Sequence, residues 1–299
     1  MKIVFTGASS FTGMWFCKAL TDLGFTVFPF LQKRIGDYEG IRKERAEKLQ
    51  TPIYDVPFGS DAFYQALEEI GTIDHFCHHA ADVTNYKSPD FNPLKALENN
   101  TFHAQKTLEL LAKKGCCDFI ITGSVFEPNE GKGTCDKAVS PYGLSKGFTS
   151  EYYRYYVPHY GMKFRKFVIP NPFGPFEEVR FSTFLAQKWL KNEVPVVTQP
   201  DYVRDNIPVT LLAESYAHFV DSDNEQLNPS YKPERTEAFV ARFSQGLKLH
   251  LNRDCRFDVQ TQVDFKEPLE RINTDTISLP FDSDRFYKNL ADYYLRTYV

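Results

Sequence analysis

Tyr142 and Lys146 stand four residues apart in Tyr142-Gly143-Leu144-Ser145-Lys146. On a helix that spacing puts both side chains on one face, one turn apart. An ammonium beside a phenol favours the phenolate and lowers its pKa from about 10 towards neutrality. A phenol so poised gives a proton to a carbonyl, or takes one from an alcohol, while a hydride moves. Both residue types are common on helix surfaces, so the weight of the pair depends on the elements that would position it.

The start of the chain supplies a partner for that chemistry. Ile3 to Phe5 is a short apolar run that reads as a buried strand; a turn of small residues follows, and Thr12 to Leu23 has a helical pattern. Strand, turn and helix in this order are the setting of a dinucleotide phosphate loop. Gly7 suits the tight turn and Gly13 the close packing of helix on strand. The helix N-terminus would turn free N–H groups and the positive end of its dipole towards a pyrophosphate. Ser10 occupies the middle position, where a glycine usually lets the backbone approach phosphate. Its hydroxyl either bonds a phosphate oxygen or its Cβ weakens binding. Without Tyr142 and Lys146 downstream, an ordinary strand-to-helix turn would look the same.

The wider pattern alternates. Apolar runs at 2–6, 25–31, 73–77, 118–122 and 164–169 read as parallel strands, separated by helical patterns near 12–23, 61–70, 93–114 and 141–156. This is the βαβ rhythm of a Rossmann-like, doubly wound α/β fold, whose ligands lie at the carboxyl ends of the strands. After Asn171 the rhythm changes: helix near 181–191, short strand at 194–198, helix near 209–220, a polar loop from Ser222 to Glu234, then helices from Glu237 to Leu251 and from Arg285 to Tyr298. The division expected is a dinucleotide-binding domain over 1–170 and a smaller substrate-binding α/β region over 171–299, interleaved with the first.

Taken in order, these segments resemble the extended short-chain dehydrogenase/reductase family, of the epimerase/dehydratase type that acts on nucleotide sugars. Thr6-Gly7-Ala8-Ser9-Ser10-Phe11-Thr12-Gly13 is similar to the family's TGxxGxxG, with Ser10 departing from it. Asp55-Val56, after the strand-like Pro52 to Tyr54, resembles the aspartate that reaches the adenine. His78-His79-Ala80-Ala81 is similar to HxAA, and Asn100 sits where the family carries a helix asparagine. Ile120-Ile121-Thr122-Gly123-Ser124 resembles the strand that ends in the active-site Ser/Thr, and Tyr142 and Lys146 match YxxxK. Pro170-Asn171-Pro172-Phe173-Gly174-Pro175 resembles the RxxNxYGP loop, and Arg204-Asp205 the RD segment of the substrate region.

The resemblance implies an NAD(P)-dependent enzyme with Ser124, Tyr142 and Lys146 catalytic. The cofactor side comprises Gly7, Ser9, Ser10, Phe11, Thr12 and Gly13; Gln32, Lys33 and Arg34; Asp55 and Val56; His79, Ala80, Ala81 and Asn100; and Tyr142, Lys146 and Pro170. The substrate side comprises Thr84, Ser124, Asn171, Arg204 and Arg271, with the two arginines set to pair with a diphosphate. An Arg204–Asp205 surface salt bridge is the competing reading, and Thr122 replaces Ser124 if the register shifts by two. A carboxylate at the end of the second strand would bond the ribose 2′-OH and select NAD, but Gln32-Lys33-Arg34 offers two cations instead. Cations suit a 2′-phosphate, so NADP is expected over NAD.

The subtype is open between 4-keto reduction and 4-epimerization. A 4,6-dehydratase would want a carboxylate directly after the active-site Ser/Thr. Here Val125-Phe126 intervenes before Glu127, although Glu127 or Glu130 could turn in. A non-catalytic dinucleotide sensor usually lacks the Tyr or the Lys, and a nucleic-acid-binding relative would want a basic face, which a net charge of −4 does not suggest. His78 and His79 adjoin no cluster with ligand spacing, so no metal is expected. No apolar run approaches the roughly 18 residues of a membrane span. A strand starting at residue 2 leaves no room for a leader, so a cytoplasmic protein with six reduced cysteines, including Cys17, Cys77 and Cys135, is expected. The resemblance also implies a homodimer built on the segments 93–114 and 141–156, to which Phe148, Tyr152, Tyr155 and Tyr156 could contribute.

Overall fold

The computed structural model describes residues 1–132, 136–262 and 267–299. The strands of the first half are β1 (Lys2–Thr6), β2 (Thr26–Phe30), β3 (His75–His78), β4 (Asp118–Ser124) and β5 (Lys163–Ile169). The helices between them are α1 (Phe11–Asp22), α2 (Gly40–Glu47), α3 (Asp61–Ile70), α4 (Pro93–Asn100), α5 (Ala104–Lys113) and α6 (Pro141–Tyr156). The second half runs β6 (Asn171–Phe173), α7 (Phe181–Leu190), β7 (Val196–Val197), β8 (Val203–Pro208), α8 (Val209–Asp221), β9 (Gln226–Leu227), β10 (Pro229–Ser230), β11 (Pro233–Arg235), α9 (Thr236–Leu251), β12 (Asp258–Val259), β13 (Glu270–Arg271), β14 (Asp275–Thr276) and α10 (Ser283–Tyr298).

The main sheet is parallel throughout, in the order β2-β1-β3-β4-β5-β9, and Ile53 extends its outer edge by one bridge to Phe30. Both faces are covered, so each strand has a buried apolar centre and successive side chains serve different cores. Ile3, Phe5, Cys77 and Ile120 pack with Phe16 and Leu20 of α1 and Leu212 and Tyr216 of α8. Val4, Phe76, Phe119 and Ile121 pack with Phe63 and Leu67 of α3, Leu108 of α5 and Tyr153 of α6. A third core joins Phe173 to α7, α9 and α10 through Trp189, Phe243 and Leu290. Residues beyond 170 thus complete the first sheet with β9 and one of its faces with α8, while α7, α9 and α10 build their own core.

Two expected elements differ. The helix expected over 93–114 is two helices, broken at Thr101–His103, where His103 adopts φ +50° and its Nδ1 lies 3.0 Å from the Gly59 carbonyl oxygen. The polar stretch 222–234 is not a plain loop: it carries β9, β10 and the start of β11, which pair with β5, β14 and β8. Strands of two or three residues leave no alternation to read. Cys17, Cys77, Cys116, Cys117 and Cys255 are free thiols, the first two inside the α1 core; Cys135 lies outside the described residues.

Candidate active site

The site forms where β1, β3 and β4 end. Ser10 caps α1: its Oγ accepts from Gly13 N at 3.1 Å. The same hydroxyl lies 3.0 Å from His79 Nε2, which is also 3.1 Å from Thr12 Oγ1, while His79 Nδ1 sits 2.9 Å from Thr122 Oγ1. Ser10 therefore works inside the turn rather than standing out from it, and His79 ties the turn to β4. Burial, with the nearby Lys146 charge, pushes the His79 pKa down to about 3, so the bridge is a neutral imidazole. The capping leaves the Phe11 and Thr12 N–H groups without acceptors among the described residues, as an anion-binding helix start requires. Gly7 has φ +76°, and a Cβ there would come within 2.7 Å of Ala80 N, so the turn packs against the end of β3.

After β2, Gln32, Lys33 and Arg34 are exposed, and Arg34 Nε pairs with Asp55 Oδ2 at 3.1 Å. Asp55 and Val56 are held by backbone bonds to Lys33 O and Leu31 O, which brings both segments to one rim. Asn100 is buried at the end of α4: Oδ1 accepts from Asp82 N at 2.7 Å and Nδ2 donates to Thr149 Oγ1 at 3.1 Å. Its carbonyl accepts from Tyr153 Oη at 3.0 Å, so it locks the β3 exit to α6. Ala80 N donates to Thr6 Oγ1, Pro170 is buried, and Ser9 and Ala81 are partly buried; Thr84 is exposed, its N–H bonded to Asp82 Oδ1.

Two glycines place α6. Ser140 caps it, accepting from Gly143 N at 3.1 Å, with Pro141 in its first turn. A Cβ on Gly143 would overlap the Phe126 carbonyl, and one on Gly147 would come within 2.8 Å of Pro128 Cδ. Spaced four apart, both face the segment after β4, and the interleaved Tyr142 and Lys146 are carried in with them. Ser124 Oγ accepts from Phe126 N at 3.3 Å, which leaves its own proton to be donated outward. Thr122, the alternative, has its hydroxyl engaged by His79.

The electrostatics depart from expectation. Burial first, then Glu127 and Tyr86, push the Tyr142 phenol well above its ordinary value, and the cation opposing them is Arg180 rather than Lys146. Lys146 is itself buried, which holds it down to about 8 against the pull of Glu127. Tyr86 and Phe91 pack on the Tyr142 ring at 5.3 and 6.3 Å between centroids.

On the opposite wall, the Arg204 guanidinium stacks over Phe126 at 5.2 Å and Tyr202 at 5.1 Å, and its Nη2 donates to Asn171 Oδ1 at 3.0 Å. It does not pair with Asp205. That carboxylate is fully buried and accepts instead from the N–H groups of Tyr231, Lys232 and Asn273. Arg271 lies 6.0 Å over the same Phe126 ring and donates to Val125 O, so both predicted cations converge on one aromatic ring. Among the described residues no cluster fits a metal ion. The sequence reading missed Tyr86, Phe91 and Arg180, which have no motif, and Lys166, whose charge inside the apolar run 164–169 was a readable signal.

No helix among the described residues is long and apolar enough to cross a membrane. No curated protein sequence matches the chain. Among solved structures, the chain is similar to UDP-glucose 4-epimerase from Thermotoga maritima with UDP-glucose (18% identity, 99% of each chain covered, TM-score 0.76). It is also similar to UDP-glucose 4-epimerase from Thermus thermophilus complexed with NAD (17% identity, 99% of this chain and 100% of that one, TM-score 0.74). A third is UDP-N-acetylglucosamine 4-epimerase from Methanobrevibacter ruminantium in complex with UDP-N-acetylmuramic acid (20% identity, 99% and 98% covered, TM-score 0.73). At these identities the likeness is one of fold. Residues 3–230 match the model of the NAD dependent epimerase/dehydratase family, and the chain belongs to that family.

Proposed function

We propose that the protein is an oxidoreductase acting on a nucleotide-activated sugar, by 4-keto reduction or 4-epimerization, with Tyr142 as acid/base. The observation that supports this is the seating of α6, which carries Tyr142 and Lys146, through Gly143 and Gly147 against Phe126 and Pro128, the segment that follows Ser124. Tyr142 passes the proton at the sugar oxygen, Ser124 donates a hydrogen bond to that oxygen, and Lys146 supplies positive charge at the phenol side of the cleft. The α1 turn, with the free N–H groups of Phe11 and Thr12, fits a dinucleotide pyrophosphate, and the dinucleotide supplies or takes the hydride when bound. Arg204 and Arg271, with Asn171, suit the substrate diphosphate. Against a 4,6-dehydratase stands Glu127, whose two oxygens are committed to Ser124 N and Lys166 Nζ.

The exposed Lys33 and Arg34 support NADP. NAD is the second reading, favoured by the Arg34–Asp55 pair, which draws that cation away, and by the NAD in structures similar in fold. A cytoplasmic homodimer is part of the proposal; Phe148 and Tyr155 are exposed on α6, at 39% and 64%, where a second copy could cover them. The test is to titrate the purified protein with NADPH and NADH, identify any dinucleotide released on denaturation, and assay UDP-sugars and 4-keto sugars. Tyr142→Phe should lose turnover by about 10²- to 10⁴-fold and keep dinucleotide affinity. A variant as active as the wild type, or a protein that binds neither dinucleotide, removes the reading.

A further inference from the structure

Behind Ser124 lies a group of charges that the chemistry above does not use. Glu127, Glu130 and Lys166 are all buried, at 1%, 6% and 3% exposure. Lys166 Nζ donates to Glu127 Oε2 and to Glu130 Oε1, each at 2.6 Å. Glu127 Oε1 accepts from the Ser124 backbone N–H at 2.7 Å, and Glu130 Oε2 accepts from Asn228 Nδ2 at 2.8 Å. Gly123 makes the room: a Cβ there would meet Lys166 Cε at 2.5 Å and Glu127 Oε1 at 3.0 Å. The group therefore links the end of β4, the middle of β5 and the segment joining β9 to β10. Charges are not buried in this way cheaply, and here both carboxylates are held by one ammonium.

We propose that Glu127, Lys166 and Glu130 form a positioning unit for the reaction, in which Glu127 fixes the turn that presents Ser124 and supplies the negative charge that Lys146 faces. The inference rests on the reading that α6 carries the chemistry. Lys146 is faced by Glu127 from the segment after β4, by Lys166 from β5, by the neutral His78 and His79 at the end of β3, and lies one turn from Tyr142 on its own helix. Glu127 is the anion among them, and it acts on Tyr142 as well, favouring the protonated form of both groups. With both protons held, the site is set to donate a proton to a keto sugar. Glu130, held by Lys166, Asn228 and Gln226, is the more remote carboxylate and steadies the pair.

Glu127→Gln keeps the shape and removes the charge. In protein labelled with ¹³Cε-lysine, with Lys146→Met assigning the resonance, Lys146 should titrate about one pH unit lower in E127Q than in the wild type. Glu130→Gln, which leaves Glu127 paired, should move it in the same direction by less. The alkaline limb of turnover should shift with the resonance, whereas a merely structural role would lower turnover at every pH and leave the limb in place. Equal shifts in the two variants, or none in folded protein, overturn the proposal. If E127Q does not fold, E130Q must still shift the resonance acidic. The titration needs no substrate, so a shifted resonance in a protein that turns over no nucleotide sugar refutes the functional reading and not the unit.

Discussion

In the first 170 residues, parallel strands of four to seven residues send alternate side chains into two apolar cores, whereas the opposite wall of the cleft is built from strands of two to six residues pinned by single polar side chains. Order in the first region is spread over a hydrogen-bonded ladder and many apolar contacts, each replaceable at modest cost. Order in the second is concentrated. Asp205 alone gathers Tyr231, Lys232 and Asn273, and the Asn273 Nδ2 bridges Val168 O and Pro229 O. A buried carboxylate that replaces a missing ladder cannot be removed without orphaning several N–H groups at once.

The comparison is broken most directly at Asp205. Asp205→Ala should cost about 3–5 kcal/mol, since it removes a fully buried carboxylate and with it the acceptor of three N–H groups, the buried one of Asn273 among them. Ile120→Val, in the fully buried middle of β4, should cost about 0.5–1.5 kcal/mol. Urea unfolding of both variants gives the two numbers; equal losses would mean that the second wall is as distributed as the first. The next largest effect falls on the joint between the regions. Gly143→Ala forces a methyl into the Phe126 carbonyl, and Phe126 carries both Arg204 and Arg271 on its ring. About 1–3 kcal/mol of stability should go, with turnover falling because Tyr142 is displaced. Gly147→Ala meets only the Pro128 ring at 2.8 Å and should be milder on both counts. Matched losses in thermal melts and rates would show that α6 does not depend on this contact.

The same contrast explains what was legible. β1 to β5, α1, α3 and α6 follow from apolar runs and 3.6-residue periodicity, because a sheet buried on both faces writes its position into nearly every residue. Ser124 ends β4, and Tyr142 and Lys146 lie in the first two turns of α6, so spacing alone assigns each to its element. The break at His103 was hidden because Ala96 and Asn100 before it and Ala104, Leu108 and Leu111 after it keep the helical period across a single left-handed residue. β9 to β14 were hidden because their pairing uses backbone groups over two or three residues, and their partners lie far away in sequence, as with Pro229 and Asp275. The Tyr142 phenol was misjudged for a different reason: four-residue spacing gives proximity to Lys146 but says nothing of burial or of Glu127 approaching from another segment.

The smallest effect tests the chemistry at the seam between the two regions. Burial holds the native Lys146 down to about 8, while a lysine in the unfolded chain keeps its proton to about 10.4. Between those values the unfolded state binds the extra proton, so this group's contribution to stability rises with pH, by about 1 kcal/mol per unit. Below that window both states carry the proton, and burying the ammonium costs its full amount. Turnover should move in the opposite direction, falling through an apparent pKa near 8 as the ammonium is lost. Wild type and Lys146→Met, unfolded in urea at several pH values between 7 and 10, isolate the group, because other titrations cancel in the difference. The wild type should gain on the variant as pH rises while its own activity declines. A difference independent of pH would mean that Lys146 keeps an ordinary pKa, and that the buried charge balance around Glu127 does not reach α6.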